Sequence, residues 1–282
     1  MTVPPNVYSD FSGFQWLCNV AQQLRTSQTV SLDFSNTGFF DGNLCAVLGA
    51  LFQQHELEAH VLTEHTMNPA VLRSLGMNGF LPSLGGTRFP DEFDTTIKYR
   101  HFTLAEAKKF SSYLDVELLN KELPLLPTTK KNFHTTLAEV FQNCNFHSQA
   151  ASGVFSCGQH FPTKEIINYT LVDLGIGFGG SVSRRFGRPI PAKAAVGWAV
   201  VAGNSARPGQ QLGGYGLSDI QDMILKNEGI FQIVSGDTFW EFRGHSSKTQ
   251  GLPVPFEGTI VNLQLNVALE KHRQMDAELA KM

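Results

Sequence analysis

The chain has 282 residues, with 22 basic and 25 acidic side chains. Near-balanced charge argues against a general nucleic-acid or membrane-surface binder, and no run reaches the about 18 apolar residues needed to cross a bilayer. The length allows two cores of ordinary size, and 22 phenylalanines exclude a disordered chain.

Residues 28 to about 100 read as a small α/β unit. Val30-Ser-Leu-Asp-Phe34 alternates like a strand, and Asn43 to Gln54 carries Leu44, Val47, Leu48 and Leu51 at helical spacing. Glu58-Ala-His-Val-Leu62 is a second strand. A short helix then starts near Pro69, turns Leu72 and Leu75 inward and stops before Gly76. Strand–helix–strand–helix order implies a sheet with helices packed on it. The run Leu32-Asp-Phe-Ser-Asn-Thr-Gly-Phe-Phe-Asp41-Gly-Asn43-Leu44 resembles the core of a STAS domain, the fold of anti-sigma-factor antagonists. In that family a GHKL-type kinase phosphorylates a hydroxyl at the place occupied here by Asn43. An amide has no hydroxyl to receive a phosphoryl group, so the resemblance does not extend to the phosphoswitch. An unrelated α/β lobe is the alternative.

A helix is predicted over residues 103–120, with Thr103 as N-cap and Glu106 three residues later. His101 precedes it without the acidic partner of a phosphoacceptor histidine, which argues against a sensor histidine kinase. Pro124 and Pro127 mark a linker. The organisation is therefore a small domain over 1–100, a helix and linker over 101–128 and a second domain over 129–282.

In the second domain Lys131 to His147 is predicted helical, with Leu137, Val140, Phe141 and Cys144 as an apolar stripe. Glu139, Asn143 and His147 stack on another face at i, i+4 and i+8. By itself such a polar stripe reads as a solvated helix face. A hairpin follows, Gly153–Phe161 and Ile166–Val172, joined through Pro162. It delivers Asp173 at a strand end, directly before Gly175 and Gly177. A buried carboxylate there can accept a hydrogen bond from the amino group of adenine, and guanine has no donor at that position. Gly213-Gly214-Tyr215-Gly216-Leu217 precedes a helix over Leu217–Asn227. Glycine amides at a helix N-terminus form an anion site, and no Lys-Ser/Thr pair follows as in a P-loop. Between Gly177 and Gly213 lie Arg184, Arg185, Arg188, Lys193 and Arg207 and no acidic residue. The chain continues with strands Ile230–Ser235 and Gly258–Leu265 and ends in a helix, packed or at a dimer contact.

Glu139-Val-Phe-Gln-Asn143, Asp173-Leu-Gly175-Ile-Gly177 and Gly213-Gly214-Tyr-Gly216-Leu217 together are similar, in order and spacing, to the N, G1 and G2 boxes of the GHKL (Bergerat-fold, histidine-kinase-like) ATPases. The resemblance implies an α+β two-layer sandwich that binds ATP or ADP with Mg²⁺. It implies that Asn143 supplies an amide oxygen to the metal and that Glu139 acts as general base or orients the attacking group. His147 positions phosphate on this reading, or is simply a packed histidine at the helix end. The basic stretch becomes the lid over the triphosphate, with Lys193 or Arg207 as phosphate contacts; the alternative is a basic surface loop.

The expected activity is a Mg-dependent ATPase whose nucleotide state regulates a partner protein. Two alternatives share the site: an anti-sigma-type Ser/Thr kinase acting on a STAS-like partner, and a nucleotide-gated interaction protein with negligible turnover. Such two-part proteins fit bacterial regulatory or defence operons. Met1-Thr-Val-Pro-Pro-Asn6 lacks the basic start and apolar run of a signal peptide. Cys18, Cys45, Cys144 and Cys157 have no metal-ligand spacing, so they read as reduced thiols. Both point to the cytoplasm.

Overall fold

The first helix is set by its cap. Asp10 Oδ1 accepts the Gly13 N–H at 2.9 Å, satisfying a first-turn donor, and α1 (Phe11–Thr26) follows. Phe14, Leu17, Cys18, Ala21 and Leu24 are buried along it at helical spacing. No element is predicted before residue 28, although Asp10 and this stripe were the available signal. The computed structural model describes residues 1–27, 30–56, 62, 64–204 and 216–279.

The N-terminal lobe is held by short parallel pairings. β1 (Asn6–Val7) pairs with β2 (Phe39–Phe40), and isolated bridges join Thr2 to Asp33 and Leu32 to Leu62. The strand predicted over Val30–Phe34 is thus reduced to two bridged residues. Of the strand predicted over Glu58–Leu62, only Leu62 lies within the described residues. A 3₁₀ turn, Gly42–Leu44, leads into α2 (Cys45–Gln54), in which every residue from Cys45 to Phe52 is buried. α3 (Pro69–Met77) starts as predicted, with Pro69 in its first turn and Asn68 accepting the Ala70 N–H at 2.9 Å. It runs one residue past Gly76, and α4 (Phe80–Ser83) follows.

The other half is built on five antiparallel strands: β3 (Thr96–Phe102), β4 (Val154–Phe161), β5 (Ile166–Asp173), β6 (Ile230–Arg243) and β7 (Ser246–Asn266). Their order across the sheet is β3-β4-β5-β7-β6. β3, which the sequence does not suggest, straddles residue 100 and pairs with β4. The β4–β5 hairpin is in the predicted place. β6 and β7 are far longer than predicted. The predicted strand stops at Ser235, yet β6 passes on through Gly236 and Asp237 with an irregularity in register.

Between the strands come α5 (Ala107–Leu114), shorter than predicted and continued by a π-helical turn over Asp115–Leu119, and α6 (Pro127–His147). Thr103 does not cap α5, but its N–H is taken by the Glu106 carboxylate at 2.9 Å. Pro127 sits in the first turn of α6 rather than in a linker, because a first-turn residue needs no N–H. α7 (Gly177–Phe186), α8 (Ala192–Ala199), α9 (Gly216–Asn227) and α10 (Val267–Leu279) complete the chain. Helices set against an antiparallel sheet make this an α+β protein.

The sheet is covered on both faces. Ile167, Tyr169 and Leu171 of β5, with Val261 and Leu263 of β7, join one buried cluster with Phe133, Leu137 and Phe141 of α6 and Ile220 and Ile224 of α9. Phe155, Cys157, Val172, Val234 and Ile260 point the opposite way, as strand alternation requires. They join a cluster with α1, α2 and the rest of the N-terminal lobe. The lobe and the sheet therefore share one core.

Within that second interface runs a polar seam. Asn43, fully buried, directs its amide nitrogen at Ser9 Oγ (2.8 Å), Thr170 Oγ1 (2.8 Å) and Asn262 Oδ1 (3.0 Å). Asn262 donates on to Gln232 at 2.7 Å, and Gln232 to Glu241 at 2.8 Å. Asp41, whose carboxyl burial holds above the ordinary carboxylate range, accepts the Ser9 N–H at 2.7 Å. Groups buried this way are costly when unpaired. Asn43→Ala takes the donor from Thr170 and Asn262, and should lower unfolding free energy by about 2 kcal/mol. Urea denaturation checks this, and an unchanged midpoint would mean that the seam adds no stability.

Candidate functional site

Strand parity decides where Asp173 faces. It follows Ile167, Tyr169 and Leu171 by even steps, so its side chain lies on the side of the sheet covered by α6. Asp173 is buried, at 2 % exposure. Its Oδ1 accepts the Gly175 N–H at 2.9 Å, and its Oδ2 faces the Cys144 thiol at 3.4 Å. Burial raises its pKa from 3.8 to about 7, against the opposing pull of these two hydrogen bonds. The Cys144 thiol is itself pushed well above its ordinary value, by burial and then by the Asp173 charge. It therefore keeps its proton and can donate.

The turn after Asp173 is packed onto the end of α6. The Ile176 N–H bonds the Ser148 carbonyl at 2.7 Å. A Cβ on residue 175 would lie 2.0 Å from that same oxygen, so the turn passes α6 only as glycine. Gly177 opens α7 with φ near +63°, and a Cβ there would lie 2.6 Å from Ser235 Oγ. That hydroxyl accepts the Phe178 N–H and donates to the Gly258 carbonyl, both at 2.9 Å, tying the start of α7 to β6 and β7. The sequence motif thus has a structural reason at both glycines.

Glu139 and Asn143 are partly exposed on α6, Asn143 directly before Cys144, and His147 ends that helix. Gly216 is the first residue of α9, and Leu217 packs against the core on the α6 side of the sheet. Arg207, Gly213 and Gly214 lie outside the described residues. The described part of the basic stretch, up to residue 204, carries α7 and α8, which pack on each other and on β6. Arg185, Arg188 and Lys193 are exposed there, while Arg184 donates to Gln149 at 2.6 Å. Gln221 of α9 donates to the Val200 carbonyl just after α8 at 2.6 Å, bringing the two ends of the intervening segment together. The α6 end, the Asp173 turn, α7, α8 and the start of α9 are thereby linked in one region.

Two features escaped the sequence reading. Cys144 is read there as one member of an apolar stripe, although its neighbour Asn143 is singled out. A cleft of about 1080 Å³ between the N-terminal lobe and β3, lined among others by Gly76, Arg88, Phe89, Tyr99 and Arg100, involves none of the predicted site residues. His101, at its edge, stacks on Phe155 with centroids 4.3 Å apart.

No protein-family model matches the chain, and no curated protein matches it.

Two expectations follow from the geometry. Gly175→Ala should destabilise the fold by about 2 kcal/mol, because the turn must move off Ser148; differential scanning calorimetry measures this. For Asp173 the folded pKa is the higher one, so its stabilising contribution is complete below pH 3.8 and is lost as pH rises towards 7. The span corresponds to on the order of 4 kcal/mol. Asp173→Asn keeps the acceptor for Gly175 but does not titrate. Its stability relative to the parent should climb between pH 4 and 7 and level off above; a flat difference would rule out the raised pKa.

Proposed function

We propose that this chain is an ATP-binding protein of the GHKL type, a Mg-dependent ATPase whose nucleotide state regulates a partner protein. On this reading the sheet and its helices form a Bergerat-type nucleotide domain, and the N-terminal lobe is a STAS-like attachment. The observation that carries the proposal is Asp173: a buried carboxylate at a strand end, beside the helix that bears Glu139 and Asn143. A buried acceptor in that position suits the exocyclic amine of adenine.

The surrounding groups fit a nucleotide with its metal. Among the described residues no group of three or more His, Cys, Asp or Glu could hold a metal. Mg²⁺ would therefore take Asn143, water and phosphate oxygens as ligands, a set typical of that ion. When bound, it supplies neutralisation of phosphate charge. The chain supplies the rest. Asp173 reads the base, and the amides at the start of α9 face phosphate with the positive end of the helix dipole. Lys193 and the arginines of α7 lend positive charge from a stretch, residues 178–212, that carries no acidic residue. Glu139 orients or deprotonates the attacking water. Phosphoryl transfer depends mostly on such positioning and charge compensation, so these groups suffice in kind.

Asn43 bears on the choice between activities. It is fully buried against β5 and β7 and has no hydroxyl. A kinase reading would therefore need its acceptor hydroxyl on a separate STAS-like protein.

The test is calorimetric titration with ATP and Mg²⁺, paired with phosphate release. Asp173→Asn should weaken ATP binding at least about a hundredfold, as expected when a buried recognition group is mispaired; retained affinity would sink the site assignment. Glu139→Ala should leave ATP affinity within about threefold while cutting turnover by about a hundredfold or more. Undiminished turnover would remove Glu139 from the mechanism.

A further inference from the structure

Asp173 is held from two directions, by the turn that follows it and by helix α6. Its Oδ1 is taken by the Gly175 N–H at 2.9 Å, and its Oδ2 lies 3.4 Å from Cys144 Sγ. The end torsion of an Asp side chain is otherwise broad and roughly two-fold, so a single backbone contact would leave the carboxylate free to rock. The second contact fixes its plane. Cys144 is only partly exposed and Asp173 is buried. Their pairing thus lies beneath the surface, where a hydrogen bond is worth more than in water.

We propose that Cys144 is a positioning residue for purine selection: its S–H donates to Oδ2 of Asp173 and turns the carboxylate so that it accepts the amino group of adenine. This rests on the nucleotide reading above and adds a residue to it. A thiol suits the task. It is a weak donor with a long bond, so it orients the oxygen without consuming the acceptor capacity that the base needs. Carboxylate oxygens carry two lone pairs each, and Oδ2 can serve both partners. Helix α6 would then present two consecutive residues to the nucleotide, about 100° apart around its axis: Asn143 towards the phosphates and metal, Cys144 towards the base.

The experiment uses the full chain and two ligands, ATP and the triphosphate of unsubstituted purine riboside, which lacks the exocyclic amine. The ratio of their affinities isolates the contact to Asp173. In Cys144→Ala and in Cys144→Val, which keeps the bulk, ATP should bind about tenfold more weakly and the purine analogue within about twofold. Cys144→Ser, retaining a donor, should restore the ratio to within about threefold. Equal weakening of both ligands would mean that Cys144 only packs, and an unchanged ratio in both non-donor variants would remove its role; either result overturns the proposal while ATP binding itself stands. If the parent protein fails to bind ATP, or Asp173→Asn binds it unchanged, the nucleotide reading fails first.

Discussion

The pleat of β5 is the constraint on which the rest of the molecule turns. Its residues alternate between two covered faces, so Asn168 and Thr170 must meet the N-terminal lobe if Ile167, Tyr169 and Leu171 are to meet α6. A slip of one residue would expose amides to an apolar helix layer and drive tyrosine into the polar seam. The same parity carries Asp173 to the helix side, where a carboxylate finds a thiol and a backbone amide rather than the seam. One register thus fixes both how the lobe attaches and where the candidate site forms.

The lobe's attachment is chemically specific rather than merely apolar. Asn43 and Asp41, both bonded to Ser9, meet Asn168, Thr170 and Asn262, while Phe14, Phe34 and Phe52 share a core with Phe239, Phe256 and Ile260. Apolar burial supplies the larger driving force, and the buried amides select one alignment because any other leaves them unpaired. Asn43 is the centre of that seam. Such an arrangement suits a lobe seated on its own sheet.

The candidate site lies where elements end rather than in their middles: the last residue of β5, the last turns of α6, the first residues of α7 and α9. Ends are where backbone groups are still free to bind and where glycine can replace a side chain at a close approach. Gly175 against Ser148 and Gly177 against Ser235 show the cost of that arrangement: each position is closed to a Cβ. The exposed basic residues of α7 and α8 border it, with Gln221 holding α9 to the end of α8.

Much of this was legible in the chain because it depends on local patterns. Period-two and period-3.6 spacing located the β4–β5 hairpin, α2, α3, α6 and α9. The Asp-x-Gly-x-Gly run marked a tight strand-to-helix turn, since only glycine tolerates those backbone contacts. The predicted end of β6 at Ser235 was too early, because a β-strand can absorb an irregularity that neighbouring strands stabilise, which a local window does not see. β3 escaped notice because it is held by β4, distant in sequence, whereas α1 carried a local signal, the Asp10 cap and its apolar stripe, that went unread. Tertiary structure alone decided that the lobe and the sheet share a core, that Asn43 is buried at their contact, and that Cys144 meets Asp173. Each depends on residues 29 to 219 positions apart, and no local periodicity records which distant surfaces will meet.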